Sequence, residues 1–294
     1  MPWLQLSFNV PRTQAETFSL NLEIAGALSV TLGDAGDEPQ LEPGPGETPL
    51  WSEVTLTALF DNDPENQALV ERLAQHIGGQ LGSAPRIERI EDQVWERVWL
   101  DTFKPARFGR RLWICPHGQP PEADDAVVVN LDPGLAFGTG HHATTALCLE
   151  WLDGADLTGK TVLDFGCGSG ILAIAALKLG AARAIAVDHD QQALDATHDN
   201  ATANGVSERL EVYLPEQAPE QAVDCVLANI LAGPLVSLAP TLIARLDVGG
   251  DLVLSGILAD QIETVSSAYA ERIQLEPPRL REDWALICGR RPRT

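Results

Sequence analysis

Residues 161–170 read Thr-Val-Leu-Asp-Phe-Gly-Cys-Gly-Ser-Gly, and an acid, Asp188, closes the next apolar run, Ala184-Ile185-Ala186-Val187. Val162 and Leu163 predict a buried strand. The chain then turns through Gly166, Gly168 and Gly170 into a helical stretch over residues 171–177. Three glycines at alternate positions let the backbone bend sharply and approach a ligand, because no Cβ is in the way. The first N–H groups of the following helix lack intrahelical partners, so the turn is a polar cradle. A carboxylate at the end of the second strand accepts from both hydroxyls of a ribose. Together these residues predict a Rossmann-like α/β unit that binds an adenosine-containing cofactor.

The spacing separates two cofactor classes. Dinucleotide sites carry G-x-G-x-x-G, whose third glycine allows close helix–strand packing beside a pyrophosphate. Here the pattern is G-x-G-x-G, and Ile171 stands at the dinucleotide pattern's third-glycine position. Asp164, two residues before the first glycine, adds a negative charge that repels a pyrophosphate and attracts the α-ammonium of S-adenosylmethionine. The expected cofactor is therefore S-adenosylmethionine, held by Asp164, Gly166, Gly168, Gly170 and Asp188, with a nicotinamide cofactor as the competing reading. Asp188 serves either.

Outward from this stretch, helix and strand patterns alternate. Strands are expected at 161–165, 184–188, 223–228 and 252–255, and helices at 170–179, 191–204, 235–246 and 257–269. That alternation predicts a mostly parallel, doubly wound sheet with helices on both faces. Residues 284–288 read as a last antiparallel edge strand, and 111–115 and 126–131 as strands preceding the nucleotide fold. Nearer the N-terminus, residues 3–10 alternate apolar and polar and read as a strand. A helix at 13–26, a strand at 27–32, an acidic Gly/Pro-rich loop at 33–49 and a strand at 53–60 follow. Asp63 and Pro64 read as the cap and first position of a helix to about residue 77, before a strand at 85–90. The order β-α-β-β-α-β predicts a ferredoxin-like α+β domain. Trp95 and Trp99, four apart, place a linking helix over 92–103, and the basic segment 104–111 reads as domain-junction ion pairs. The expected organisation is a small α+β domain at 1–91, a linker helix and junction at 92–116, and the Rossmann-like domain at 117–294.

Composition narrows the function classes. A chain of 294 residues with 45% hydrophobic content supports two modest cores. No apolar run reaches membrane-spanning length, and the Met-Pro-Trp-Leu-Gln start lacks a basic-then-apolar leader, so no membrane partner is expected. Five cysteines without paired spacing point to a reducing cytoplasm. A formal net charge of −22 disfavours a nucleic-acid substrate and favours a basic one. The acidic bias is strongest in residues 1–100, which contain no lysine.

The acceptor side of the site is expected at Asn229, which follows the strand Val223-Asp224-Cys225-Val226-Leu227-Ala228. Carboxyl ends of strands line the crevice of a doubly wound sheet, so Asn229 should face the same ligand as Gly166 and Asp188. Its side-chain carbonyl can take the N–H bonds of an amine and aim the lone pair at a methyl group. Asn229 is no base. A lysine amine with a pKa of about 10.4 loses its proton to water, and holding it neutral at pH 7.4 costs roughly 4 kcal/mol before desolvation reduces that figure. Residues 131–145, Leu-Asp-Pro-Gly-Leu-Ala-Phe-Gly-Thr-Gly-His-His-Ala-Thr-Thr, form a second conspicuous segment. Phe137 stands in this loop just before a helix, where it either covers the cofactor or packs as ordinary core. His141 and His142 are adjacent and share no helix face, so no metal site is expected.

These segments, together with Asn229-Ile-Leu-Ala-Gly-Pro, resemble the ribosomal protein L11 methyltransferase family over nearly the whole chain, most closely across residues 131–260. The glycine motif alone marks only the broad S-adenosylmethionine-dependent class. The Gly-Leu-Ala-Phe-Gly-Thr-Gly loop with Asn-Ile-Leu-Ala is far more specific. The resemblance implies a small N-terminal domain that recognises a ribosomal protein and a catalytic Rossmann-like domain. It also implies methylation of lysine ε-amines and of the N-terminal α-amine. By motif, Thr145, Gly166, Asp188 and Asn229 would bind the cofactor, Asn229 would also meet the acceptor nitrogen, and Phe137 would lie in the covering loop. The family commonly reads Thr-His-Pro-Thr-Thr where this chain has His141-His142-Ala143-Thr144-Thr145. Alternatives are an N-methyltransferase acting on another basic protein or a small amine, a nicotinamide oxidoreductase opposed by Asp164 and Ile171, and a non-enzymatic ribosome-associated module opposed by Asn229.

Overall fold

The computed structural model describes residues 3–36, 50–90, 104–119, 121, 123, 125–131 and 142–293. The chain divides into two compact units, Met1–Trp95 and Glu96–Thr294.

The first unit contains β1 (Trp3–Pro11), α1 (Arg12–Ile24), β2 (Ser29–Asp34), β3 (Glu53–Asp61), α2 (Pro64–Leu81) and β4 (Arg86–Ile90). Its strands lie in the order β2-β3-β1-β4 with every neighbouring pair antiparallel, the split β-α-β arrangement that the element order predicts. The pleat sends Leu4, Leu6, Phe8 and Val10 of β1 inward beside Val54, Leu56, Ala58 and Phe60 of β3. Ala15 and Leu22 of α1 and Val70 and Ile77 of α2 close that core. Asp63 caps α2 by accepting from the Asn66 N–H at 2.8 Å, and Gly82, at φ 70°, ends the helix four residues beyond the expected stop.

The second unit opens with β5 (Ala106–Phe108), β6 (Leu112–Cys115) and β7 (Val127–Asn130), a small sheet in that order. The main sheet has β8 (Thr161–Phe165), β9 (Arg183–Val187), β10 (Leu210–Tyr213), β11 (Val223–Asn229), β12 (Leu246–Leu258), β13 (Gln274–Leu275), β14 (Arg279–Arg281) and β15 (Trp284–Arg290). The order is β10-β9-β8-β11-β12-β15-β13, with β14 also paired to β15. The strands from β10 to β12 run parallel, and β15 runs antiparallel to β12. Parallel strands are covered on both faces. One face carries α3 (Ala143–Gly154), α4 (Ile171–Lys178) and α5 (Gln191–Ala203). The other carries α6 (Ala232–Ala244) and α7 (Ile262–Tyr269).

Three expectations need correction. The fifth parallel strand is not confined to residues 252–255: β12 runs thirteen residues, through a register shift between Leu254 and Ile257 that contains Gly256. The expected helix at 257–269 therefore starts only at Ile262, because Ile257 and Leu258 still pair with β15. Nor is β15 an edge, since the short strands β13 and β14 pair with it. The segment 104–111 forms β5 and a turn. Among the expected elements, the linking helix at 92–103 and most of the loop at 33–49 lie outside the described residues.

Candidate active site

The period-2 pleat of the parallel strands decides which side chains meet. Val162 of β8, Ala186 of β9, Leu227 of β11 and Val253 of β12 all pack into the core on the α3–α4 face. Two residues further along each strand stand Asp164, Asp188, Asn229 and Ser255, which share that face. Asp164 pairs in register with Ala186 and with Leu227, so Asp188 and Asn229 each lie one pleat nearer the carboxyl edge. The polar residues thus gather toward the carboxyl ends of these strands.

Between β8 and α4 the turn passes through Gly166, Gly168 and Gly170, at φ 79°, 54° and 77°. A Cβ on Gly166 would overlap Cγ2 of Ile230, the residue after Asn229, so only glycine lets β11's end come this close. A Cβ on Gly170 would stand 2.7 Å from Thr197 Cγ2. Asp188 Oδ2 accepts from the Gly168 N–H at 2.9 Å, and Oδ1 accepts from the Asp190 N–H at 3.1 Å. The exposed His189 ring lies 3.3 Å from the same Oδ1.

Asp164 is fully buried. Its Oδ2 accepts from the Ala173 N–H at 3.1 Å, while Oδ1 is buried with no hydrogen-bond partner among the described residues. Burial pushes its pKa up to about 7, the Ala173 N–H opposes that rise, and the neighbouring charge of Asp188 adds to it. A carboxylate oxygen with no partner among the described residues, beside a glycine cradle, fits a cationic ligand group, and the charge of Asp164 opposes a pyrophosphate. The donor set therefore suits S-adenosylmethionine: Asp164 toward the ammonium, the glycine turn along the backbone of the amino-acid part, and Asp188 toward the ribose.

On the acceptor side, Asn229 Nδ2 donates to Thr145 Oγ1 at 3.3 Å, which joins the end of β11 to the first turn of α3. Thr145 is buried and Asn229 half-buried. The donated bond occupies the amide nitrogen and leaves the amide oxygen available to receive an amine's N–H. His142 caps α3 through Nδ1, 2.8 Å from Thr144 Oγ1, and its ring meets Trp284 edge-on at 4.9 Å. Ala143 occupies the first helical position, where a proline is also favourable. Phe137 and His141 lie outside the described residues. Burial raises the thiol pKa values of Cys148 and Cys167 far above neutral, which leaves neither suited to act as a nucleophile.

The structure adds residues that the sequence pattern does not single out. Thr197 Oγ1 donates to the Gly168 carbonyl at 2.9 Å, and Asn200 Nδ2 donates to the Ser169 carbonyl at 2.9 Å. Asn204, just past α5, clamps the β7 backbone: it accepts from the Asn130 N–H at 2.8 Å and donates to its carbonyl at 2.6 Å. The available signal is polar residues falling three and four apart on the stripe that also holds the buried Leu194 and Ala201.

Known proteins are similar to this chain over nearly its whole length. The sequence profile of the ribosomal protein L11 methyltransferase (PrmA) family matches residues 2–292. A ribosomal protein L11 methyltransferase of Klebsiella pneumoniae is 56% identical over 293 residues, covering 99% of this chain and 100% of its own. That of Edwardsiella ictaluri is 56% identical over 290 residues, covering 98% and 99%. The crystal structure of a ribosomal protein L11 methylase from Lactobacillus delbrueckii subsp. bulgaricus superposes with a TM-score of 0.59 at 33% identity, over 65% of this chain and all of that one. Full-length similarity in sequence and a fold that matches a solved relative leave one assignment: this chain belongs to the ribosomal protein L11 methyltransferase family.

Proposed function

We propose that this protein transfers methyl groups from S-adenosylmethionine to amino groups of ribosomal protein L11, namely lysine ε-amines and the N-terminal α-amine. Bound S-adenosylmethionine supplies an electrophilic methyl on a sulfonium. The observation that carries the reading is the convergence of Asp164, the glycine turn, Asp188 and the Thr145–Asn229 pair at one carboxyl edge of the sheet. Asp188 takes the ribose, and Asp164 the ammonium. Thr145 orients Asn229, whose amide oxygen accepts from the acceptor amine and points its lone pair along the transfer line. Among the described residues no side chain here serves as general base, so in this reading the amine enters neutral after giving its proton to water.

In this reading residues 1–91 recognise the ribosomal protein, 92–116 join them to the catalytic part, and 117–294 carry out the transfer. The charge of −22 selects a basic protein over nucleic acid. No described helix is long and apolar enough to cross a membrane, and a ribosomal substrate places the reaction in the cytoplasm. The test is incubation of the purified protein with methyl-labelled S-adenosylmethionine and unmethylated ribosomal proteins. One labelled band at the mass of L11, with label on lysines and the N-terminus by mass spectrometry, is expected. Label in RNA, or cofactor consumed with no protein labelled, overturns the assignment.

A further inference from the structure

The glycine turn is held from outside itself. The N–H of Gly168 donates to Asp188 Oδ2, and its carbonyl accepts from Thr197 Oγ1, each at 2.9 Å. The next carbonyl, of Ser169, accepts from Asn200 Nδ2 at 2.9 Å. Thr197 is fully buried, and its side chain fills the space that a Cβ on Gly170 would enter. The helix supplying these groups is itself fixed at both ends. Asp190 at its start is bonded to Asp188, and Asn204 at its end is bonded to both backbone groups of Asn130 and to the Asn200 carbonyl. A turn built on three glycines loses more backbone freedom on ordering than one built on any other residue. Left to itself, it would sample shapes in which its N–H groups and Asp188 no longer face one ligand.

We propose that Thr197 and Asn200 are positioning residues of the cofactor site, fixing the Gly168 and Ser169 carbonyls so that the turn is preformed for S-adenosylmethionine, with Asn204 bracing α5 against β7. They touch no reacting atom. Their contribution lies in cofactor affinity, because a turn already ordered costs nothing further to order on binding. The inference rests on S-adenosylmethionine being the donor. It does not depend on the identity of the acceptor.

The test compares Thr197→Val, which keeps the shape and loses the hydroxyl, with Thr197→Ser, which keeps the hydroxyl. Calorimetric titration with S-adenosylmethionine and steady-state kinetics on L11 give the readouts. Thr197→Val is expected to weaken binding and raise the KM for S-adenosylmethionine about five- to tenfold, the effect of one hydrogen bond lost. Its kcat at saturating cofactor stays within about twofold of the parent, and Thr197→Ser binds within about twofold of it. Asn200→Ala follows Thr197→Val and decides the matter by itself should Thr197→Val fail to fold. Unchanged cofactor affinity overturns the inference, as does a parallel loss of kcat and affinity that serine does not rescue. A parent protein that binds S-adenosylmethionine yet labels no ribosomal protein overturns the proposed substrate alone, because titration needs no acceptor. A parent that does not bind it overturns both.

Discussion

Asp164 combines a buried oxygen that has no partner among the described residues with a pKa raised to about 7, and this has a measurable consequence. Without cofactor the carboxyl takes up a proton as pH falls through about 7, and only the ionised form pairs with an ammonium group. Binding at lower pH must therefore expel that proton. The affinity for S-adenosylmethionine should fall as pH drops below about 7, approaching tenfold per unit. Calorimetry at about pH 6 and pH 7.5 measures this, and Asp164→Asn should bind weakly with no slope. Asp188 and Asn229 divide the labour differently. Asp188→Ala removes two bonds to a charged acceptor, roughly 1.5–3 kcal/mol each, and also frees the Gly168 N–H, so cofactor Kd rises sharply. Asn229→Ala should lower kcat on the order of 10²-fold with a much smaller change in that Kd, because its task is aiming the nucleophile. Equal losses in both constants would contradict that division.

At the scale of elements, α3 is pinned at both ends. Its first turn meets Asn229 through Thr145. At its other end the buried Asp153 accepts from the N–H groups of Arg110 at 2.5 Å, Arg111 at 3.3 Å and Leu112 at 3.1 Å in the β5–β6 turn. Asp153→Ala strands those donors, and should lower the unfolding free energy on the order of 3 kcal/mol, read by urea denaturation. These contacts also mark the limit of what a sequence discloses. Asp164, Asp188 and Asn229 are legible because each interrupts a strongly apolar run at its end, where the pleat leaves one interpretation. Thr197, Asn200 and Asp153 are not, because polar residues on helices read as solvent-facing and their partners lie between 29 and 43 residues away. The full length of β12 is hidden for another reason. Residues 252–258 are almost entirely apolar, and such a run fits either a buried strand or a buried helix until its pairing is known. β13 and β14, two and three residues long, carry no period to detect.

For the whole molecule, net charge governs how a substrate arrives. A formal −22 draws a basic protein toward the enzyme over distances that salt screens, with a Debye length of about 10 Å at 0.1 M. The KM for L11 should rise steeply with ionic strength while kcat and the KM for S-adenosylmethionine change little. A salt-independent KM for the protein substrate would assign recognition to apolar contact instead. Within the second unit, charge also fastens the pole opposite the site, where Asp251 is bound by Lys160 at 3.0 Å and by Arg290 at 2.6 Å.

The alternation that sends Asn229 to the same side as Asp188 depends on parity alone. The β11–β12 ladder shifts register between Val223 and Cys225, where the extra residues belong to β12, upstream of Asn229. Deleting a single residue between that point and the strand's end would keep every ladder hydrogen bond available yet turn the asparagine to the opposite side of the sheet, under α6. Such a protein would still load its methyl donor and would have nowhere to present it.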